Sequence, residues 1–234
     1  MIHQNKQISM ENKRKLFIKR QEDLITLIYN LLKKNITRVG GNLLNIKGVF
    51  SDRTTICVQG TNNTIIIEKG LTKLKNCSIT IRGNNSTIHI GAGCKFKDVS
   101  LYIEDSGGRI TIDKDTIIYG KTHIAVIEGK SVAIGERCLF SSNITIRTGD
   151  SHSILDKNGK RINPSKDISI GNHVWIGNTV IILKGTKVNE DSVIATGGIL
   201  TGKEFPSNSI IGGLGGTILK SEVDWCSERK PIDD

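Results

Sequence analysis

Aromatic side chains make up only 4% of the chain, so any core has to be assembled from β-branched and other aliphatic side chains. Proline is scarce too: 3 Pro beside 25 Gly exclude a collagen-like or Pro-rich disordered polymer. Long apolar runs are missing. Stretches such as Thr64–Ile67 and Val180–Leu183 stop at four residues, far short of a bilayer-spanning helix. Met1–Lys15 is polar and basic, without the apolar segment of a secretion signal. The five cysteines (Cys57, Cys77, Cys94, Cys138, Cys226) are odd in number and never fall at CxxC spacing. That argues against a disulfide framework or zinc knuckle and for a reducing, cytoplasmic setting. No His-Glu-x-x-His pair or other ligand cluster at metal spacing occurs, so no metal is expected. There is no Gly-x-Ser-x-Gly elbow, which disfavours a serine hydrolase built on Ser151 or Ser153. Gly212-Gly213-Leu214-Gly215-Gly216 follows no βαβ unit and reads as close backbone approach near the end of the repeats.

The 234 residues suit one or two domains and carry 33 Lys+Arg against 23 Asp+Glu, a net charge of +10. The surplus suits an anionic partner (phosphate groups, an acidic polymer or a membrane surface), though charge alone more often marks a plain solvated surface. The basic residues are scattered and not interleaved with aromatics, which disfavours nucleic acid.

Internal repeats organise what is there. Ile56–Asn62 aligns with Ile79–Asn85 at an offset of 23, and Leu101-Tyr102-Ile103 and Ile124-Ala125-Val126 continue the series. A second series runs Ile67, Ile90, Ile112, Ile134, each ending a short alternating strand. From Ile134 the period tightens to six: Ile134, Phe140, Ile146, then, after an interruption, Ile170, Ile176, Ile182, Val188, Ile194, Leu200. Four residues after six of these nine comes a small one: Cys138, Val174, Val180, Thr186, Ser192, Gly198. Cys94 and Cys138 therefore fill packing slots. One large and one small inward residue per hexad describe a short flat strand ending at a corner. Three hexads make one triangular coil, and stacked coils make a prism. About nine coils between Val39 and Leu219 would give a rod about 40 Å long. The expected fold is all-β, a left-handed parallel β-helix that the strict hexad frame winds as a triangular prism, its left hand being a family pattern and not a consequence of the period. A right-handed parallel β-helix, whose turns can also reach 22 residues, is the alternative.

Two segments stand outside the repeats. Glu11–Asn35 reads as an amphipathic helix, with Leu24, Leu27, Ile28 and Leu31 on one stripe. That stripe is expected to cap the open end of the rod. Lys13, Arg14, Lys15, Lys19 and Arg20 are expected on a solvated face, a membrane-leaning face and membrane association being the alternative. Ser151–Lys166, rich in Asp, Asn, Gly, Lys and Ser, interrupts the hexads as a long loop, at about 151–167. The expected organisation is a helical segment over 1–37, the β-helix over 38–220 and a C-terminal tail over 221–234.

Among the histidines, His3 lies in the terminus, His89 points outward between Ile88 and Ile90, His123 is expected at a coil corner, and His173 at an outward position beside Trp175. His152 differs because it opens the inserted loop, where an imidazole on a rigid edge can accept a proton near neutral pH. Asp150 is placed to orient it. By itself, a loop histidine bonded to backbone is the commoner reading.

Ile168–Asn178 (ISIGNHVWIGN), Ile182–Gly185 and Ser192–Ile194 resemble the hexapeptide-repeat, left-handed β-helix acyltransferases. Ile146–Asp150, His152, Asn158–Asn163 and Ile218-Leu219-Lys220…Asp224-Trp225 are similar to bacterial O-acetyltransferases of capsular polysaccharide, the polysialic acid O-acetyltransferases above all. The likeness is densest over Ile134–Trp225. The family's Ala-Gly-x-Pro-Ala-Lys ending is replaced here by the proline-free Gly212–Lys220 stretch, and Ala195-Thr196-Gly197-Gly198 stands for the usual Gly-Ala-Gly-Ser.

The resemblance implies acetyl-CoA as co-substrate, no metal, and a homotrimer with sites between neighbouring prisms. It implies His152 as general base, Trp175 beside donor and acceptor, and donor contacts from Asn178, Thr196, Thr201 and Lys220, the last near the CoA phosphates. Asp150, Asn143 and His173 are the expected acceptor-binding residues. The expected function is O-acetylation of an anionic, sialic acid-containing surface glycan. Acetylation of a small acceptor (a free sugar, a nucleotide sugar amine or serine) is one alternative, and a non-enzymatic β-helical binding protein the other. The last lacks the Thr-x-Thr rows a flat binding face needs, and a carbonic anhydrase on the same prism lacks its third metal histidine.

Overall fold

The computed structural model describes Gln21 and residues 23–232. Alternating sequence becomes strand because each inward Ile, Val or Leu leaves water while its neighbours stay wet. Strands from successive coils then stack in parallel on three faces. The first face is an eight-stranded ladder: Leu43–Asn45, Thr64–Ile67, Thr87–Ile90, Arg109–Ile112, Ser131–Ile134, Ile168–Ile170, Lys187–Val188 and Glu204–Phe205. Its register pairs Ile67, Ile90, Ile112, Ile134, Ile170, Val188 and Phe205 in one column. The second face stacks Leu74, Phe96, Ile118, Phe140, Ile176, Ile194 and Ile211. The third stacks Ile56, Ile79, Leu101, Ile124, Ile146, Ile182 and Leu200. All of these side chains are at most 3% exposed. The eight rungs of the first face span about 34 Å at about 4.8 Å per step, and the third face, with Ile36–Arg38 and Leu214–Gly215 at its ends, stacks nine, close to the nine coils expected.

The second and third faces merge into one sheet because Lys95–Glu104 and Ile117–Val126 run through the corner as single bent strands, with a register shift between Tyr119 and Thr122. His123 consequently lies within a strand of the third face, paired with Ser100 and Thr145, and not at a corner. Burial pushes its imidazole below the usual value, and the Arg147 charge adds to that. The last strand, Thr217–Lys220, reverses and pairs antiparallel with Ile210–Gly212, closing the C-terminal end.

Corners need left-handed backbone, and they obtain it in columns. Asp115, Arg137, His173, Asp191 and Asn208 all have φ between +52° and +59°. Amide-to-carbonyl bonds tie successive corners, His173 N–H to Glu136 O at 2.8 Å and Asp191 N–H to Asn172 O at 3.1 Å. In the earlier coils, side-chain ladders serve the same end. The buried Asn63 accepts from Ser86 N–H and donates to Gly83 O. Gly83 itself (φ +137°) has no room for a Cβ, which would lie 2.1 Å from Asp105 O. Cys94 and Cys138 are free and buried, in the small-residue slots expected of them. Burial pushes their thiols up to about 12 and about 11, so they are inert packing groups.

The helix at the start, residues 23–31, inverts the expectation. Its polar side packs on the rod: Thr26 is buried, Asn30 bonds Val49 O and Ser51 N–H, and Tyr29 meets Phe50 edge-on at 5.4 Å. The stripe Leu24, Leu27, Ile28, Leu31 faces outward instead of capping the prism. The physical reason is that the first coil presents unpaired backbone groups and Ser51, which an asparagine satisfies and a leucine cannot. The basic residues Lys13, Arg14, Lys15, Lys19 and Arg20 lie outside the described residues.

Ile112 is fully buried at mid-column, flanked by Ile90 and Ile134. Ile112→Ala is expected to lower unfolding stability by about 2–5 kcal/mol, read as a shift of the denaturant midpoint in far-ultraviolet circular dichroism.

Candidate active site

The inserted loop leaves the prism at the third-to-first corner, directly after the strand Ile144–Arg147. Gly149 allows the exit: a Cβ there would lie 2.0 Å from Ser165 Oγ and 2.8 Å from Ile127 Cδ1, so only glycine lets the two limbs of the loop meet the coil. The loop is an ordered hairpin. Leu155 bridges Arg161 antiparallel, Ile162 N–H bonds Ile154 O at 2.9 Å, and Asp156 Oδ1 accepts from the amides of Asn158 and Lys160 at the tip.

Asn163, 6% exposed, is the pin. Its Oδ1 accepts from Ile154 N–H (2.8 Å) and Arg161 Nε (3.1 Å). Its Nδ2 donates to Asp150 Oδ2 (2.8 Å) and to the carbonyl of His152 (2.9 Å). His152 thus has a fixed backbone and an exposed ring that makes no hydrogen bond among the described residues. Asp150 does not orient that ring. Its carboxylate takes Lys184 Nζ and Asn163 instead, and the Lys184 bond, followed by the Asn163 bond, holds it below the usual carboxylate range. A second tie runs from Arg161 to Glu128, whose carboxylate also accepts from Ser165 N–H. Arg147 donates to Ser151 Oγ at 2.8 Å. Between these groups lies a groove of about 290 Å3 lined by Arg147, Asp150, Lys166, Lys184, Thr201 and Gly202.

The remaining expected residues sit elsewhere on the prism. Asn143, Asn178 and Thr196 climb the second-to-third corner on successive coils. Asn178 Oδ1 accepts from Ser142 N–H and Oγ, and its carbonyl from Gly197 N–H. Trp175, 40% exposed, stands on the second face between Leu139 and Val193. His173 is at the corner before it, with Nδ1 2.9 Å from Asp191 Oδ1. The tail brings Trp225 flat onto His173 (4.3 Å, 12°) and within 5.9 Å of Trp175, its indole N–H bonding His173 O at 2.8 Å. Lys220 lies exposed on the closing strand. One chain therefore joins Asp150, the His152 backbone and Thr201 at one corner, and keeps Asn178 and Thr196 at another and Trp175 on the second face.

Lys184 had no role in the sequence reading. The hexad register would have found it: Arg147 pairs with Leu183, which sets Lys184 one coil above Thr148 and beside Asp150. Trp225 had only a motif to mark it, since nothing in the repeat says where a tail returns.

No protein-family profile matches the chain. The polysialic acid O-acetyltransferase of Neisseria meningitidis is 36% identical over 150 residues, 54% of this chain and 68% of that protein. Among solved structures, the polysialic acid O-acetyltransferase OatWY superposes with a TM-score of 0.78 at 30% identity, over 84% of this chain and 92% of that one. The polySia-specific acetyltransferase NeuO gives 0.71 at 30% identity, over 85% and 88%.

Asn163→Ala is expected to weaken the loop by about 1–3 kcal/mol, from four lost hydrogen bonds around a buried site. Amide exchange over residues 151–165 should accelerate while the core coils keep their protection. Acid should act similarly. A carboxyl held low in the folded state contributes stability above its unfolded value and loses it as pH falls through the folded one. Loop protection should therefore decline below about pH 4, and less steeply in Asp150→Asn. Fold, coil register and relatives agree that the chain belongs to the left-handed β-helix O-acetyltransferases, the family that includes the polysialic acid O-acetyltransferases.

Proposed function

We propose that this enzyme moves an acetyl group from acetyl-CoA to a hydroxyl of an anionic capsular-type glycan, a sialic acid polymer first among them, in the cytoplasm. The observation that carries the acceptor class is the groove at the root of the inserted loop, lined by Arg147, Lys166 and the Lys184–Asp150 pair. Its net positive rim suits a polymer with a carboxylate on each sugar. The polysialic acid acceptor named for the relatives points the same way.

In this reading His152 takes the proton of the acceptor hydroxyl as that oxygen bonds the thioester carbonyl carbon. An N–H donor of the rim or a polar side chain holds the oxyanion. The C–S bond then breaks, and the protonated imidazole returns its proton to the leaving thiolate. One O–H and one C–S bond become one C–O and one S–H bond, with no covalent enzyme intermediate. Asn163 fixes the base through its carbonyl, and Asp150, engaged by Lys184, belongs to the loop scaffold. Donor contacts fall to Asn178 and Thr196 at the second-to-third corner, to Trp175, Thr201 and Lys220. The residues present fit an extended, phosphate-bearing donor: Thr196 and Gly197 leave the rim uncrowded, no atom lies within 4 Å of a Cβ built on Gly197, and Lys220 is an exposed cation.

A homotrimer completes the assignment. Since His152 and Trp175 belong to different sides of one prism, packing of three prisms about an axis lets one chain's loop face the next chain's tryptophan.

Thiol release from acetyl-CoA in the presence of polysialic acid, other capsular glycans and free sugars is the direct test. Turnover is expected with the anionic polymer, and His152→Ala should reduce it about 100- to 10,000-fold. Turnover on free sugars alone would replace the polymer by a small acceptor, and an active His152→Ala would remove the base. For the shared site, His152→Ala and Trp175→Ala chains, each inactive, are co-expressed in equal amounts. Random mixing leaves about one site in four with both wild-type groups, so about a quarter of the activity should return. Failure to recover any would place both residues in one chain's site.

A further inference from the structure

Amphipathic helices of globular proteins turn the apolar side to the core. Residues 23–31 do the reverse. At about 100° per residue, Leu24, Ile25, Leu27, Ile28, Leu31 and Leu32 occupy an arc of about 160°, and all six are between 51% and 80% exposed. The opposite arc (Asp23, Thr26, Tyr29, Asn30, Lys33) is the one that packs. It is held by bonds that fix the helix's rotation: Asn30 to Val49 O and Ser51 N–H, and Asn35 to Ser51 O and Thr54 N–H. The apolar arc is therefore presented by a polar anchor, not left over from poor packing. Its acid is withdrawn as well, because Asp23 turns inward to within 3.9 Å of Lys69.

We infer that this helix docks the enzyme onto an anionic lipid surface. The charge of the flanking sequence selects that occupant. Met1–Glu22 contains six basic residues (Lys6, Lys13, Arg14, Lys15, Lys19, Arg20) against the two acids Glu11 and Glu22, and Lys33 and Lys34 follow the stripe. An apolar stripe flanked by lysine and arginine matches what an interfacial helix needs: aliphatics at the headgroup–acyl boundary and cations among lipid phosphates. A second copy of the chain would answer only the stripe. It would also bring two such basic segments together, at a Coulombic cost that anionic lipid converts into attraction. A stripe of about 160° is also wider than the narrow seam of a coiled coil.

The test is flotation of the full-length protein with vesicles of phosphatidylcholine alone, or with one-third phosphatidylglycerol. The protein should float with the anionic vesicles, not with the neutral ones, and the bound fraction should fall as salt rises from about 50 mM to about 500 mM. Leu27→Glu/Leu31→Glu should cut binding at least about tenfold. Its thermal midpoint should match the parent, since both side chains are exposed. Arg14→Gln/Lys15→Gln/Lys19→Gln, which leaves the helix stripe intact, should weaken anionic binding on its own. No flotation with anionic vesicles overturns the inference, as does unchanged flotation of the glutamate variant. If that variant instead shrinks the assembly in sedimentation while vesicle binding persists, the stripe is a contact between copies.

Discussion

Vertical registry between coils is the constraint from which the rest of this molecule follows. Parallel strands stack at about 4.8 Å, and once Ile112 lies over Ile90 the next inward residue on each face is fixed, because a slip of one residue would turn the whole column to solvent. The corners inherit that registry. Left-handed residues fall above left-handed residues, Asp115 under Arg137 under His173, and small side chains fill the space that each turn leaves. A chemical group at a corner is thereby placed along the rod to within a coil spacing, with no tertiary packing beyond the prism itself. Asp150 and Lys184 meet because they are 34 residues apart across the loop, one coil above the other.

The hexads from Ile170 to Leu200 were fully legible, since a six-residue period with one large and one small inward slot has few other geometric solutions. The 22- and 23-residue offsets were harder. Sequence could read them as coils with extra corner residues, but not that Lys95–Glu104 and Ile117–Val126 absorb the excess by bending through a corner as single strands. That bend moved His123 from a corner to a face. The helix stripe was visible as a pattern, but its direction was not. Amphipathic periodicity says that two sides differ, and which side packs depends on the surface offered; here that surface wanted an asparagine.

The site was legible in part for a related reason. An interruption in a regular repeat marks a place where selection tolerated a loop, and His152 at its start is a visible candidate. Which side chains hold that loop could not be read, because they depend on contacts across the corner. Sequence proximity points Asp150 at His152, while in space a lysine one coil up and an asparagine on the returning limb reach it first. A carboxylate beside an ammonium gains a charge-assisted bond that a neutral imidazole does not supply. The pairing thus favours loop order over orientation of the His152 ring.

A triangular prism is also a poor shape for an enclosed active site. Its corners diverge, its faces are flat, and registry forbids one coil from bending toward another. The loop hairpin, the aromatic group of His173, Trp175 and Trp225, and the corner column of Asn178 and Thr196 each stand on a different side of the rod. In the proposed trimer a neighbouring copy supplies the opposite wall of a cleft between them. With three corners and three faces, further copies of the same prism can do this in equivalent ways around an axis, each giving its loop to one neighbour and its tryptophan to the other. On that reading the rigidity that makes the single chain incomplete also makes the assembled site exact, because the walls that meet have no slack to take up. The same economy explains the inserted hairpin. Only a segment released from the hexad frame can reach across a gap that two straight rods leave open, and its exposed Ile154, Leu155 and Ile162 give it apolar surface to bury when it does.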